Sequence, residues 1–396
     1  MEARLLFLSY IAFFLSLGGI LTVSIINPMY LSMLWLVKRK KKIVSLSDKP
    51  IVSLIIVVHN GEDLIAEKIK NSQSLIYNPD KLEIIIYSDG STDKTQKNIT
   101  PFLSKQVKLF SSRHHIGKFE GINRAVRESK GDILVFTDAD AILDCHALTE
   151  LLKHFSDSGV GGVCGFRVIT EKDKSLADAQ ISYISMDTMI KRLESRIGSI
   201  SSNDGKLYAI RRELFVEIPP AVTDDLYEAL NVVFQHKRFI FESSAKVAVR
   251  LPSRTVEHEI LRRRRIVSRS LMGIFKMRVL LNPFKYGMYS LELLINKVIR
   301  RLLPILLIML LFSNLLLIDR SMFYALFFAA QILFYLWGAS YPLYFEKKKS
   351  DNILGKISSK LFYFCVGNYG MFMGIMDFIQ NKQPVKWTPV KTDLNT

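Results

Sequence analysis

The chain has 396 residues, 49% of them hydrophobic, and a formal net charge of +17. This apolar content is high for a soluble protein and indicates membrane segments. A basic excess is also typical of nucleic-acid-binding proteins, but the basic runs at 38–42, 262–265 and 347–349 lie next to apolar segments. We therefore expect membrane lipids and an anionic donor such as a sugar nucleotide as partners, and no nucleic acid. The three cysteines have no metal-ligand spacing, which suits a reducing compartment.

The first apolar segment, residues 5–37, contains no charged side chain. A helix needs about 20 apolar residues to cross a bilayer, so this segment is long enough. It is too long for the apolar part of a signal peptide, and no small-residue cleavage site follows it. The basic run at 38–42 marks the cytoplasmic side of a membrane. We predict that residues 1–42 form a transmembrane anchor with a basic flank.

Residues 50–255 have the length of one soluble domain. Four short, nearly continuous apolar runs are typical of strands buried on both faces: Ile51–Val58, Leu82–Tyr87, Val107–Phe110 and Ile133–Phe136. Helical patterns separate these runs at about 62–76, 93–103 and 118–129. The alternation predicts an α/β domain with a mostly parallel sheet and helices on both faces. In such sheets, ligands bind beyond the carboxyl ends of the strands.

Polar residues follow three of these predicted strands. Asn60 comes after the first strand, Asp89 opens a polar segment that ends at Asp93, and Asp138 and Asp140 follow the fourth strand. Turn and helix-cap chemistry also accounts for Asp89 through Asp93, and both explanations stay open. Two carboxylates two residues apart after a buried strand favour a Mg²⁺ or Mn²⁺ site, because these cations prefer carboxylate and phosphate oxygens.

As a set, four segments resemble the nucleotide-binding half of family 2 glycosyltransferases: Val52–Asn60, Glu83–Asp93, Gly117–Asn123 and Gly131–Asp140. The resemblance implies a Rossmann-like fold that binds a nucleotide-diphosphate sugar. It implies that Asp89 contacts the base or ribose, that Lys118 faces the base or phosphates, and that Asn60 belongs to the same site. It also implies that Asp138 contacts the ribose or the metal and that Asp140 binds the metal. A solvated lysine at a helix start is the alternative for Lys118.

The second half of the domain continues the resemblance. The segment Asn203–Arg212 resembles the acceptor side of the family, and Thr223–Asp225 resembles its T-[ED]-D motif, whose last carboxylate is the catalytic base. Asp225 would then take a proton from the acceptor hydroxyl as it attacks the anomeric carbon. One base without a second nucleophile implies a single displacement with inversion. Capping of a helix at about 225–236 is the alternative role of this acidic pair.

Residues 256–295 are predicted to form amphipathic helices at the membrane interface. Within them, Arg262–Ile266 takes the place of the Q-x-x-R-W motif of polymerising family members. Arg265 fits the motif and can hold a diphosphate with its planar guanidinium, and Arg262 is assigned to the same donor site. Ile266 stands where the motif has a tryptophan that would stack on the acceptor sugar. Whether the chain adds many sugars or one therefore stays open.

Two further apolar segments, 302–318 and 321–345, are each long enough to cross a bilayer. They predict two transmembrane helices within residues 296–346. The second of them returns to the basic run at 347–349, which again marks the cytoplasmic side. Both basic flanks therefore predict the same orientation.

The last part, residues 347–396, contains a shorter apolar segment at 361–376. This segment can span the membrane, re-enter it or lie on its surface. The tail Gln383–Pro389 resembles the ends of membrane-bound polysaccharide synthases, and its Trp387 can pack on the catalytic domain or lie at the membrane interface.

Together these features predict an integral plasma (inner) membrane protein with a cytoplasmic catalytic domain. We expect an inverting, metal-dependent glycosyltransferase that moves a sugar from a UDP donor onto a growing β-linked polysaccharide, with export or assembly partners. Transfer of a single sugar to a lipid-linked acceptor is the first alternative. A non-catalytic scaffold that binds glycan or nucleotide is the second, and the joint presence of Asp89, Asp138, Asp140 and Asp225 argues against it.

Overall fold

The computed structural model describes residues 2–38, 49–170, 175–249, 255–345 and 353–382. Parts of both predicted basic flanks, 39–42 and 347–349, lie outside the described residues, as does the tail Gln383–Pro389 with Trp387.

The strands of the described residues form one sheet. Their bounds are β1 Val52–Val58, β2 Leu82–Asp89, β3 Val107–Ser112, β4 Ile133–Asp138, β5 Ile142–Leu143, β6 Val160–Ile169, β7 Leu207–Arg211 and β8 Arg238–Val249. Their spatial order is β3-β2-β1-β4-β7-β6-β8-β5. Of the seven neighbouring pairs, β1–β2, β1–β4, β2–β3 and β6–β8 are parallel, and the other three are antiparallel. The predicted mostly parallel α/β sheet is therefore confirmed, with antiparallel strands added in its second half.

Helices precede, separate and follow these strands. Their bounds are α1 Glu2–Leu21, α2 Asn27–Val37, α3 Ile65–Gln73, α4 Thr95–Ile99, α5 Lys118–Arg127, α6 Ala147–Leu152, α7 Ser175–Ile197, α8 Asp224–Phe234, α9 Val256–Lys276, α10 Pro283–Tyr286, α11 Met288–Leu293, α12 Leu303–Leu317, α13 Met322–Ser340 and α14 Ile353–Ile379. The three helical patterns predicted between the first four strands coincide with α3, α4 and α5.

Alternate residues of the central strands pack into two hydrophobic layers, one on each face of the sheet. Leu54 of β1 points into one layer, where Ile65 of α3 packs. Its neighbour Ile55 points into the other layer, with Ile122 of α5 and Leu230 of α8. Because successive side chains of a strand face opposite sides, a continuously apolar run requires a covering on both faces. The predicted helices on both faces are confirmed.

The pairing register brings the functional segments to one edge of the sheet. In the parallel strands, Val57 of β1 pairs with Asp138 of β4, and Val58 pairs with Ser88 of β2. Strand β7 runs antiparallel to β4, and Leu207 at its start lies opposite Thr137. The edge therefore collects residues from the ends of β2 and β4 and from the beginning of β7. It adjoins the point between β1 and β4 where the strand order reverses, which is where such sheets bind ligands.

Four helices among the described residues are long and apolar enough to cross a membrane: Glu2–Val37, Leu303–Arg320, Met322–Tyr344 and Ile353–Ile379. The fourth contains the apolar segment at 361–376 and extends it at both ends. Its Asp377 pairs with Arg264 of α9, with 2.7 Å between Oδ1 and Nη2. This ion pair helps to hold α9, which follows the sheet, against the last apolar helix.

Candidate active site

Charged side chains of both signs meet at the carboxyl end of β4. Lys118, at the start of α5, places its Nζ 2.8 Å from Asp138 Oδ1 and 2.8 Å from Asp224 Oδ2. Lys206, just before β7, places its Nζ 3.1 Å from Asp138 Oδ2 and 2.8 Å from Asp140 Oδ1. The predicted site residues Lys118, Asp138 and Asp140 therefore lie together. These five side chains form a carboxylate–lysine cluster that joins the two halves of the sheet.

Opposite charges decide the ionisation of this cluster. Burial would raise the pKa of Asp138, but the ammonium groups of Lys118 and Lys206 outweigh it and hold that pKa well below its ordinary value. Burial would likewise lower the pKa of Lys118, yet Asp138 and Asp224 raise it above the usual value. The same balance raises the pKa of Lys206, through Asp138 and Asp140. Lys118, Asp138 and Lys206 therefore stay charged at neutral pH, and an entering ligand has to replace some of the ion pairs among them.

Asp225 is the second residue of α8 and lies beside the cluster. Its Oδ2 accepts the Gly205 N–H at 2.9 Å, and its Oδ1 accepts the Leu226 N–H at 2.7 Å. The Asn203 side chain donates to its backbone carbonyl at 3.1 Å. Burial and the neighbouring Asp224 carboxylate raise the pKa of Asp225 to about 7. A carboxyl group whose pKa lies near neutral pH is suited to accept a proton in catalysis.

Asp89 is buried at the end of β2, where the chain itself engages its carboxylate. Oδ1 accepts the Ile116 N–H at 2.8 Å, and Oδ2 accepts the Gly117 N–H at 2.9 Å. The His115 Nδ1 lies 2.8 Å from the same Oδ2. These bonds fix the turn that leads directly into Lys118. Asp89 therefore positions the start of α5, and its contact with a base or ribose stays a prediction.

Asn60 occupies the turn after β1 with a φ of 51°, in the left-handed region that asparagine tolerates. Its Oδ1 accepts the Thr92 N–H at 2.8 Å, and its own N–H donates to the Ser91 hydroxyl at 3.1 Å. The side chain thus ties the end of β1 to the segment after β2. Its place in the donor site stays a prediction.

The two arginines predicted to bind the donor have different surroundings on α9. Burial, with the positive charges of Arg269 and Arg262, lowers the pKa of Arg265 to about 10, while Asp224 and Asp138 oppose that shift. Across the part of the chain that the structure describes, no hydrogen bond or ion pair engages the Arg265 guanidinium. Arg262 instead pairs with Glu259, with 2.8 Å between Nη2 and Oε2. Arg265 therefore faces the cluster with its donors unused, whereas Arg262 is engaged within α9.

Asp138 and Asp140 are the residues that would hold a divalent cation. The Lys206 ammonium lies between them, so this position already accommodates a positive charge. In the ranges that the structure describes, no group of three or more His, Cys, Asp or Glu side chains has the arrangement of a metal site. Mg²⁺ is commonly held by one or two carboxylates and completes its coordination with substrate phosphates and water. The two carboxylates fit a cation that shares its coordination with phosphate oxygens.

Residues 53–218 match the family model described as Glycosyl transferase family 2. The matched range contains β2 to β7 and all but the first residue of β1, together with Lys118, Asp138, Asp140 and Lys206, and it ends before Asp224 and Asp225. The chain therefore carries a family 2 glycosyltransferase domain, which confirms the predicted family and enzyme class of this domain.

Among individual proteins, this chain is similar to poly-beta-1,6-N-acetyl-D-glucosamine synthases. The synthase of Staphylococcus aureus is 25% identical over 222 residues, which cover 52% of this chain and 53% of the synthase. That of Staphylococcus epidermidis is 26% identical over 194 residues, which cover 48% of this chain and 47% of the synthase. The match spans about half the length of these curated relatives.

The fold extends the likeness beyond the matched domain. A mannosyltransferase from Pyrobaculum calidifontis, solved in complex with GDP-Man and Mn²⁺, superposes with a TM-score of 0.67 at 21% identity. The superposition covers 96% of this chain and 99% of the mannosyltransferase. Because the identity is low, this likeness concerns the fold, including the apolar helices that flank the sheet. The predicted Rossmann-like glycosyltransferase fold is confirmed.

The structure adds site residues that the sequence did not single out. Lys206 lies inside the acceptor-side segment, but nothing in its neighbours indicates an ion pair with Asp138. Glu228 is fully buried on α8, and both of its carboxylate oxygens lack a hydrogen-bond partner among the described residues. Burial and the Asp224 carboxylate raise the pKa of Glu228 well above its ordinary value. Its spacing of four residues from Asp224, one helical turn, is the signal that could have suggested it.

Lys68 is a second unexpected residue. It is fully buried on α3, and its Nζ donates to the Thr137 hydroxyl at 3.0 Å and to the Ala141 carbonyl. Burial lowers the pKa of Lys68 to about 7, against the opposing effect of Asp138 and Asp140. Through these two bonds the Lys68 side chain holds the segment that carries Asp138 and Asp140. A lysine in an amphipathic helix is normally placed on the solvent face, so the sequence pattern argues for the opposite location.

Proposed function

We propose that this chain is a membrane-embedded, inverting, metal-dependent glycosyltransferase with its catalytic domain at the cytoplasmic face. It transfers a sugar from a nucleotide-diphosphate donor, a UDP-sugar, onto a growing β-linked polysaccharide. The observation that carries the proposal is the carboxylate–lysine cluster beside Asp225, four of whose five members lie in the range that matches family 2. The printed activity of the staphylococcal relatives supports a polysaccharide as the acceptor.

The carboxylate–lysine cluster and α9 bind the donor. Asp138 and Asp140 would hold the divalent cation, Mg²⁺ or Mn²⁺, at the position where the Lys206 ammonium lies between them. Lys118 and Arg265 place their cationic groups against the diphosphate, Arg265 with a planar pair of donors. A bound divalent cation neutralises the charge that develops on the leaving diphosphate. Asp89 and Asn60 keep the turns after β2 and β1 in place for the nucleoside.

Sugar transfer requires a base for the acceptor hydroxyl. The hydroxyl oxygen bonds to the anomeric carbon, and the bond from that carbon to the diphosphate oxygen breaks. The hydroxyl proton moves to the Asp225 carboxylate, and the nucleotide diphosphate leaves with the bonding electrons. A single displacement of this kind inverts the anomeric configuration. The pKa of Asp225, raised to about 7 by burial and by Asp224, suits proton transfer near neutral pH.

Transfer of one sugar to a lipid-linked acceptor is the second candidate. It is favoured by Ile266, which stands where polymerising relatives carry a tryptophan to stack on the acceptor sugar. The size of the product separates the two candidates. A ladder of growing glycans supports polymerisation, and a product with one added sugar supports single transfer.

The membrane location of the reaction is part of the proposal. Four apolar helices flank the sheet, and α9 is paired with the last of them through Arg264 and Asp377. The basic run that starts at Lys38 supports a cytoplasmic catalytic domain. A base and a donor placed beside a helix bundle would allow the glycan to leave through the membrane as it grows, with export or assembly partners.

The test is a donor screen with purified protein in detergent or liposomes. Each nucleotide-sugar is incubated with Mn²⁺ or Mg²⁺, and the released nucleotide diphosphate is measured. We expect turnover with one donor, and its loss with EDTA and in Asp140→Ala. The matched control is Asp63→Ala, which removes an exposed carboxylate of the same domain. Turnover that survives both EDTA and Asp140→Ala would contradict the metal site, and no turnover with any donor would favour a scaffold.

A further inference from the structure

A second cavity lies apart from the carboxylate–lysine cluster, where the carboxyl-terminal part of α2 meets α7, the start of β8, α10 and α11. Its volume is about 340 Å³. Ligand pockets commonly measure about 300–1,000 Å³, so a small group fits. Leu31, Ile197 and Met288 supply apolar walls, and Glu194, Tyr289 and Glu292 also line the cavity.

Two buried polar atoms of this cavity lack partners. Tyr289 and Glu292 are 9% and 5% exposed. The Tyr289 hydroxyl and the Glu292 Oε1 have no hydrogen-bond partner within the described ranges. Burying such atoms without a partner is costly, so they mark a place where a ligand supplies the missing bond. Burial and the Glu194 carboxylate raise the pKa of Glu292 to about 7, so its protonated form can donate as well as accept.

Basic side chains line the rim of the cavity. Lys38, His236, Lys237, Arg238 and Lys285 all line it. Lys38 donates to the Ile197 carbonyl at 2.8 Å, and Arg238 pairs with Asp157. Lys285 is exposed, and its ammonium makes no hydrogen bond or ion pair within the ranges that the structure describes. A cation that faces a cavity without a counter-ion favours an anionic ligand.

Exposed apolar side chains adjoin this rim. Phe284, next to Lys285, is 98% exposed, and Val37, at the end of α2, is 81% exposed. Aromatic and basic side chains that project together are typical of the boundary between lipid headgroups and acyl chains. The ligand should therefore combine a negative charge with an apolar part. The chain that continues from Lys38 is itself basic, so it does not complement the rim.

We propose that this cavity binds the phosphate headgroup of an anionic phospholipid. Lys285 pairs with the phosphate, the Tyr289 hydroxyl and the Glu292 carboxyl hydrogen-bond to oxygens of the headgroup or its ester linkages, and Leu31 and Met288 contact the glycerol and the first acyl carbons. This inference rests on the membrane location in the proposed function, but it does not depend on the donor, the metal or the reaction. It gives the N-terminal apolar helix and the catalytic domain a shared lipid ligand.

The test measures lipid binding by the full chain in detergent, without donor or metal. Native mass spectrometry and thermal unfolding follow the addition of phosphatidylglycerol, with phosphatidylcholine as the neutral lipid. We expect phosphatidylglycerol to be retained and to raise the melting temperature, with binding weakened at least about fivefold in Lys285→Glu. Tyr289→Phe, which removes only the hydroxyl, should weaken retention in the same direction. Lys105→Glu, an identical charge change at an exposed site of the sheet domain, is the matched control.

Three outcomes overturn the proposal. Equal retention of phosphatidylglycerol by Lys285→Glu and Lys105→Glu places the lipid elsewhere. Equal retention of the two lipids by the unchanged protein removes the role of charge. Displacement of the lipid by millimolar inorganic phosphate or glycerol phosphate assigns the cavity to a soluble phosphate compound. Because no donor is present, a failure here is distinct from a failure of the proposed glycosyl transfer.

Discussion

The two halves of the sheet hold their carboxylates in different ways. In the first half, Asp89 is buried and engaged by backbone N–H groups of the turn before α5. In the second half, Asp225 lies beside Asp224, and its pKa is raised by burial and by the charge of Asp224. The backbone donors around Asp89 hold a segment in place, whereas the raised pKa of Asp225 allows it to exchange a proton near neutral pH. The difference suggests that the first half positions the donor and the second half carries the chemistry.

Replacing Asp225 should have the largest effect on activity. Asp225→Asn removes the base but keeps the size and part of the hydrogen bonding, so we expect kcat to fall by about 10²–10⁴-fold with the fold intact. In the unchanged protein, the base acts only when it is deprotonated. Since burial and Asp224 raise the pKa of Asp225 to about 7, turnover should rise with pH through neutrality. Initial rates between about pH 5.5 and 8.5 measure this profile.

The control for this profile is Asp63→Asn, an exposed carboxylate of the same domain, which should leave both the rate and the pH dependence unchanged. Donor binding by Asp225→Asn should also persist. An Asp225→Asn protein that keeps full turnover with the same pH profile would move the base to another residue.

Arg265 and Arg262 both lie on α9, so the effects of removing each guanidinium on donor binding can be compared directly. Arg265→Ala removes a guanidinium whose donors are unused in the structure, so the KM for the donor should rise about tenfold or more because a charge-assisted contact to the diphosphate is lost. Arg262→Ala removes a partner of Glu259 instead, and its donor KM should change less. Initial rates over a donor concentration series measure both. A larger effect in Arg262→Ala would assign the diphosphate to that arginine.

Replacing Lys206 tests whether its ammonium occupies the position of the divalent cation. Lys206→Ala removes the ammonium between Asp138 and Asp140, so Mn²⁺ no longer competes with an ion pair and should bind roughly fivefold more tightly. Mn²⁺ titration followed by electron paramagnetic resonance, without donor, measures the affinity. Lys206→Arg keeps the charge and serves as the control. Equal Mn²⁺ affinity in all three proteins would show that the cation binds elsewhere or that Lys206 does not occupy its position.

Replacing Glu228 should have the smallest effect, and we expect that effect on thermal stability. Burial and Asp224 raise its pKa, so the folded protein holds a proton that the unfolded chain releases above the ordinary carboxyl pKa. Its contribution is therefore most favourable at low pH and is lost as pH rises toward the raised pKa. Glu228→Gln removes this penalty and should raise the melting temperature in detergent by a few degrees at pH 8, and less at pH 5.

Glu67→Gln, at an exposed position on α3, should show no such pH-dependent difference. If the gain in Glu228→Gln were equal at both pH values, the buried carboxyl would not be the titrating group.

The sequence predicts the first half of the sheet far better than the second. Each run of β-branched residues from Ile51 to Phe136 marks a strand, and the polar residues at its end mark the ligand edge, because both signals lie within a few residues of each other. The strands β6 to β8 of the second half, where β7 runs antiparallel to its neighbours, carry no comparable pattern of helix and strand alternation. The family motif indicates Asp225 as the base, whereas its raised pKa depends on packing around α8. The pattern around Lys68 indicates a solvent-facing side chain, so the sequence does not predict its burial.

The sequence by itself determined the α/β alternation, the acidic strand ends, the long apolar segments and the family resemblance, since periodicity, turn residues and charge can be recognised in short windows. Only the tertiary structure decided that Lys118 pairs with Asp224, that Lys206 lies between Asp138 and Asp140, and that Tyr289 and Glu292 line a charged cavity. These relations join residues from different strands and helices. Their distances, and the burial that shifts their pKa values, arise only when the sheet brings its two halves to one edge.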